Sequence, residues 1–128
     1  MRKKVIFILV ILSSLILAVT YTFSNSDKKL IGLALNLESL PESGINMVCS
    51  RDPGKDVGLH CNLEISAKHA ESLLSGREFV ARTDYSCGES NIEKAYVAST
   101  KEHRDGFVWV CVNNGKDSQK VFIDYILP

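Results

Sequence analysis

From Val5 to Phe23 the sequence carries no charge for 19 residues, directly after the cations Arg2, Lys3 and Lys4. A buried core helix rarely begins with three cations at the chain start. As a helix rising about 1.5 Å per residue it would span about 29 Å, close to the hydrocarbon thickness of a bilayer. Cations ahead of the run favour the cytoplasmic side, so the remaining chain is expected outside. Residues 1–23 are therefore read as a signal-anchor, with the N-terminus in the cytoplasm and residues 5–23 in the membrane. A signal peptide cleaved after Thr20 or Ser26 is the alternative, and would leave the protein soluble. No cysteine follows the run closely, so no lipid attachment site is present.

Export decides how the rest is read. Past residue 26 the chain holds twelve Lys and Arg against fifteen Asp and Glu, a net −3. That balance offers no basic patch for nucleic acid and little general attraction to anionic lipid. The four cysteines, Cys49, Cys61, Cys87 and Cys111, all lie in this part. An even count in an oxidising compartment predicts two disulfides. Four cysteines allow three pairings, and the neighbour pairing Cys49–Cys61 with Cys87–Cys111 is favoured. Closing those loops is worth about 3 and about 3.5 kcal/mol in the chain-entropy model, comparable with the whole stability of a small domain.

Residues 24–29 are polar and read as a tether, and residues 30–128 as the exported domain. Ile31, Leu33, Leu35 and Leu37 alternate, which predicts a strand; the alternative is that the membrane helix runs on through leucine and alanine. Pro41 and Gly44 break the chain. "INMVCS" and "LHCNLEIS" read as strands, the second with Leu59, Cys61, Leu63 and Ile65 inward and His60, Asn62 and Glu64 outward. Pro53-Gly54 between them is turn chemistry. Ser66 and Gly76 bracket a short helix with an apolar stripe at Ala70, Leu73 and Leu74. "REFVARTDYSC" reads as one strand with Phe79, Ala81, Thr83 and Tyr85 on one face and Cys87 in phase. "IEKAYVAST", "FVWVCVNNG" and "KVFIDYIL" complete the strands. The second of these is apolar on both faces and is expected at the sheet centre. Asp105-Gly106 and Asn114-Gly115 mark the turns between them. The expected fold is α+β: six to seven mainly antiparallel strands in a curled sheet or small sandwich, with one short helix and two disulfides.

No catalytic motif stands out. His60, His69 and His103 have no metal-ligand spacing, and no Cys-x-x-Cys occurs. There is no G-x-S-x-G elbow, P-loop or G-x-G-x-x-G. Disulfide formation leaves no cysteine nucleophile. A protein of this kind is expected not to be an enzyme and to need no cofactor or metal. Binding through loops is expected instead, with Arg51 and Asp52, Glu89 and Glu93, and His103 and Arg104 as contacts to a protein partner. Two of these loops would be tied at their bases by disulfides, which lowers the entropy lost on binding.

A short anchor followed by one small disulfide domain resembles the layout of small periplasmic immunity proteins; no residue motif carries that resemblance. It implies an inhibitor that blocks a toxin or cell-wall hydrolase. The second expectation is an accessory subunit of an envelope assembly or secretion machine. There, the small residues Ser13, Ser14 and Ala18 would let the membrane helix pack closely on others.

Overall fold

The computed structural model describes residues 2–40, 47–52, 57–100, 105–113 and 118–127, apart from the side chains of residues 19–25 and 57. Turn and loop expectations at Pro41, Gly44, Pro53-Gly54, His103, Arg104 and Asn114-Gly115 lie outside the described residues.

The first element, α1 (Arg2–Leu35), is a single helix of 34 residues. It overturns the strand expected at residues 31–37, and it runs through residues 24–29, whose polar composition suggested a tether. The reason lies in the spacing. Ile31, Ala34 and Leu35 are buried to 1% exposure or less, whereas Leu33 is 52% exposed. Positions i, i+3 and i+4 form one helical stripe, and period two was the weaker pattern. Burying Ile31 and Leu35 contributes about 1.5–3 kcal/mol each.

Asn36 ends the helix in the left-handed region at φ 55°. Its N–H reaches the Leu33 carbonyl at 3.1 Å, and the Leu37 N–H reaches Gly32 at 2.9 Å. This pair of bonds is a Schellman cap, with asparagine filling the position glycine usually holds. Arg77 takes one further carbonyl of the last turn, from Nε to Ala34 at 2.6 Å, and shares the Leu33 carbonyl with Asn36 from Nη2 at 3.2 Å. The last turn of α1 has no basic residue of its own. Arg77 supplies the cation that the negative end of the helix dipole favours. Gly76 permits this close docking, since a Cβ there would fall within 2.3 Å of the Leu35 carbonyl oxygen.

Six antiparallel strands follow: β1 (Val48–Asp52), β2 (Val57–Ile65), β3 (Val80–Arg82), β4 (Lys94–Ser99), β5 (Phe107–Asn113) and β6 (Gln119–Leu127). They form one sheet in the order β1-β2-β6-β5-β4-β3. The sheet is single and open, neither strongly curled nor a sandwich. One layer suffices because α1 and the short helix α2 (Ala67–Leu73) cover one face. Leu59, Leu63 and Ile65 of β2, Val108 and Val110 of β5, and Val121 and Ile123 of β6 form that face with Ala70 and Leu73 of α2. The apolar β5 lies inside the sheet between β6 and β4, as its composition predicts.

α2 starts after Ser66, whose backbone is extended but whose side chain makes no capping bond. Its hydroxyl instead lies 3.1 Å from His69 Nδ1. The strand expected over residues 77–87 is mostly absent: β3 keeps three residues. The chain then leaves the sheet and turns at Cys87 and Gly88, both with positive φ (50° and 75°).

The disulfides are Cys49–Cys61 and Cys87–Cys111. They sit on opposite faces of the sheet. Cys49 lies directly across from Cys61, with 4.1 Å between the Cα atoms, and the bridge ties edge strand β1 to β2 on the helix-covered face. Cys111 points the other way from Val108, Val110 and Val112. Its bridge draws the segment after β3 across the second face.

Candidate functional site

Strand parity assigns the second face. Ser50 and Asp52 of β1, His60 and Asn62 of β2, Phe122, Asp124 and Ile126 of β6, Phe107 and Trp109 of β5, Val97 of β4 and Val80 of β3 share it, because alternate residues of each strand point one way. The register lines up one row across five strands: Val80 opposite Val97, Val97 opposite Trp109, Trp109 opposite Asp124, and Asp124 opposite His60. The row is apolar at one end and ionic at the other.

At the ionic end, Asp124 is an acid on one of the two central strands, with 4% of its surface exposed. A carboxylate in such a place must be paired. One oxygen lies 2.7 Å from His60 Nδ1, and the other accepts the Tyr85 hydroxyl at 2.7 Å. His60 Nε2 lies 2.7 Å from Asp52 Oδ2. A ring with a carboxylate on each nitrogen donates from both, which is the imidazolium form. Accordingly the bond to Asp124, then that to Asp52, raises the His60 pKa above 6.5, against the opposing pull of burial. Burial, and then the bond to Asp124, holds the Tyr85 phenol well above its usual range, so it remains a donor. The Tyr85 ring stacks on Trp109 with centroids 4.0 Å apart.

Chemically the network is a brace. Nε2 of His60, where a nucleophile would sit in a triad, is occupied by Asp52. The groups tie β1, β2, β6 and the segment after β3 into one unit. Among the described residues, no cluster of three or more His, Cys, Asp or Glu could hold a metal ion.

The apolar end is open. Val80 is 60% and Phe107 53% exposed. Phe107 lies opposite Ile126 in the neighbouring strand, and Trp109 is half-buried beneath Tyr85. Together with Val97 these side chains form a strip on a sheet pinned by two disulfides.

The expected contact residues do not gather into one surface. Arg51 and Asp52 sit in β1, where Arg51 Nη2 bonds Asp27 Oδ1 at 2.8 Å and Asp52 joins the brace. Glu89 and Glu93 lie between Cys87 and β4; the Glu93 N–H bonds the Val112 carbonyl, at the opposite end of the strands from Asp52. His103 and Arg104 are outside the described residues. Sequence reading missed Asp124, Tyr85 and Phe107. Asp124 carried a signal, an acid inside the otherwise apolar strand "VFIDYIL". Tyr85 carried none, because its role depends on the chain leaving the sheet after Arg82.

No protein-family model, curated protein or solved structure matches this chain.

Proposed function

We propose that the chain is an exported, membrane-anchored binding protein that acts without catalysis, as an inhibitor or immunity protein blocking a toxin or cell-wall hydrolase. The observation that carries this reading is the open strip of Val80, Val97, Phe107 and Ile126 on a braced face. Exposed aromatic and aliphatic side chains on a rigid support are what a protein partner can bury at low entropic cost. Two disulfides fit an oxidising compartment such as the periplasm. The anchor is supported by α1, whose apolar side chains from Val5 to Leu17 are 44–69% exposed all round the helix. Ser13 and Ser14 return their hydroxyls to the Val10 and Ile11 carbonyls at 2.9 Å, which satisfies both groups inside an apolar medium. Among the described residues, no helix is long and apolar enough to cross a membrane; the uncharged sequence from Val5 to Phe23, 19 residues, has the length of a span.

The test delivers residues 27–128 to the periplasm behind an unrelated signal and challenges the cells with envelope-directed toxins or an overproduced cell-wall hydrolase. Protection is expected, and Phe107→Glu should abolish it while leaving the melting temperature within a few degrees of wild type. The exposed apolar arm of α1 favours a second reading, an envelope assembly subunit that works through its membrane helix. In that case a folded, exported domain protects against nothing, and replacing residues 5–23 with polyleucine removes function.

A further inference from the structure

We infer that the domain is held in one pose against the bilayer, with β1 facing the lipid headgroups and Lys28, Lys29 and Arg51 contacting their phosphates. The inference rests on the anchor reading above and adds an orientation and a binding surface to it. Its first support is continuity. α1 is one helix from Arg2 to Leu35, and its final turns are core, so no hinge segment separates the apolar arm from the domain.

The second support is where the charges fall. Lys28 and Lys29 lie five and six residues past Phe23, about 7–9 Å further along a helix. A headgroup layer is about 5–7 Å deep on each side of the hydrocarbon core, and lysine side chains reach back toward it. Both lysines are exposed. Asp27 lies on the same helical stripe as Ile31, Ala34 and Leu35, and so faces the domain. Its 2.8 Å bond to Arg51 brings β1 to the depth of the membrane exit. Arg51 keeps 54% of its side chain exposed. The local balance is three cations against Asp27 and Asp52, the second of which is engaged by His60, although the domain as a whole is acidic.

The third support is the direction of α1. Asp27 meets β1, whereas Leu33 and Ala34 are joined through Arg77 to Ser99 at the end of β4. The helix therefore crosses the strands from the β1 side toward the β4 side. With strands about 4.8 Å apart, β3 lies about 24 Å from β1 across the sheet, on the side away from the membrane exit of α1. The open apolar strip, richest toward β3, β4 and β5, faces away from the lipid.

The full chain in bicelles containing a trace of headgroup-spin-labelled lipid gives the test, read as paramagnetic broadening of backbone amides. In bicelles with anionic lipid, Ser50 and Arg51 should broaden on the order of tenfold more than Val80 to Arg82, given the separation across six strands. Six Gly/Ser residues inserted between Asn25 and Ser26 should level the two edges. Lys28→Glu with Lys29→Glu should weaken the β1 broadening in anionic bicelles and leave it unchanged in neutral ones. Equal broadening of both edges in an inserted chain would overturn the fixed pose and leave the anchor intact. Broadening greater at β3 would overturn the orientation. An identical response of wild type and the lysine variant in anionic bicelles would overturn the phosphate contact. A chain that stays in water would overturn the anchor itself.

Discussion

His60 and Asp124 face each other across β2 and β6 with ring nitrogen and carboxylate 2.7 Å apart, and the same ring reaches Asp52 on the edge strand. One imidazolium thus joins a buried acid to an exposed one. A histidine whose pKa is raised by folding binds its proton more tightly in the folded state, so its stabilisation is complete below about pH 6.5 and is lost as the pH climbs through the folded value. Urea melts at about pH 5.5 and about pH 9 should show His60→Ala losing about 1 kcal/mol at the acid end, a figure discounted because the ring is about a third exposed, and less at the alkaline end. A gap that widens with pH would contradict the brace.

Tyr85→Phe keeps the stack on Trp109 but removes the hydroxyl that Asp124 accepts. The buried carboxylate then has only His60. The expected cost is about 1–3 kcal/mol. It should also make the His60 contribution steeper in pH, because a single partner carries the acid. A denaturation midpoint unchanged by this substitution at neutral pH would show that water replaces the phenol without loss.

Arg77→Ala strips the Leu33, Ala34 and Ser99 carbonyls of a charged donor. A loss of about 1.5–3 kcal/mol is expected, with faster amide exchange confined first to the last turns of α1 and the start of the 74–77 turn. Arg77→Lys should recover less than half, since a lysine cannot span several carbonyls with a planar fork. Exchange that rises equally throughout the sheet would mean the arginine does not act locally.

The two disulfides should separate in their effects. Cys87→Ser with Cys111→Ser frees the segment over the second face, so exchange should rise at residues 83–93 and Tyr85 should lose its stack. Cys49→Ser with Cys61→Ser should loosen β1 alone, because β2 is held by β6 along its whole length. The chain-entropy losses are about 3.5 and about 3 kcal/mol. Identical exchange maps for the two double variants would show that the bridges do not act on separate faces.

How much was legible before folding differs by element. Alternation in "LHCNLEIS" announced β2 correctly, since a half-buried strand writes its burial directly into sequence. The same alternation at Ile31, Leu33, Leu35 and Leu37 misled, because leucine satisfies both periods and only burial distinguishes them. Cysteine parity on β2 was readable; that of Cys87 was not, since it depended on a strand that stops at Arg82. The brace was unreadable for a simpler reason. His60, Asp124 and Tyr85 are up to 64 positions apart in the chain, and only the register of β2 on β6 makes them neighbours. Loop composition pointed to contact residues in separate loops, Arg51 and Asp52 in one and Glu89 and Glu93 in another, and said nothing of where the sheet would send them, which is to opposite ends of the strands.

The cap at Asn36 and the grip of Arg77 give the molecule a defined way of bearing tension. A pull along α1 would slide the helix lengthwise over the sheet. Ile31, Ala34 and Leu35 would have to shear past β-strand side chains together, while the carbonyls of the final turn stay fastened to a residue beyond α2. Load on the arm is thus shared between side-chain packing and the charged bonds of Arg77, which pass it on to Ser99 at the end of β4.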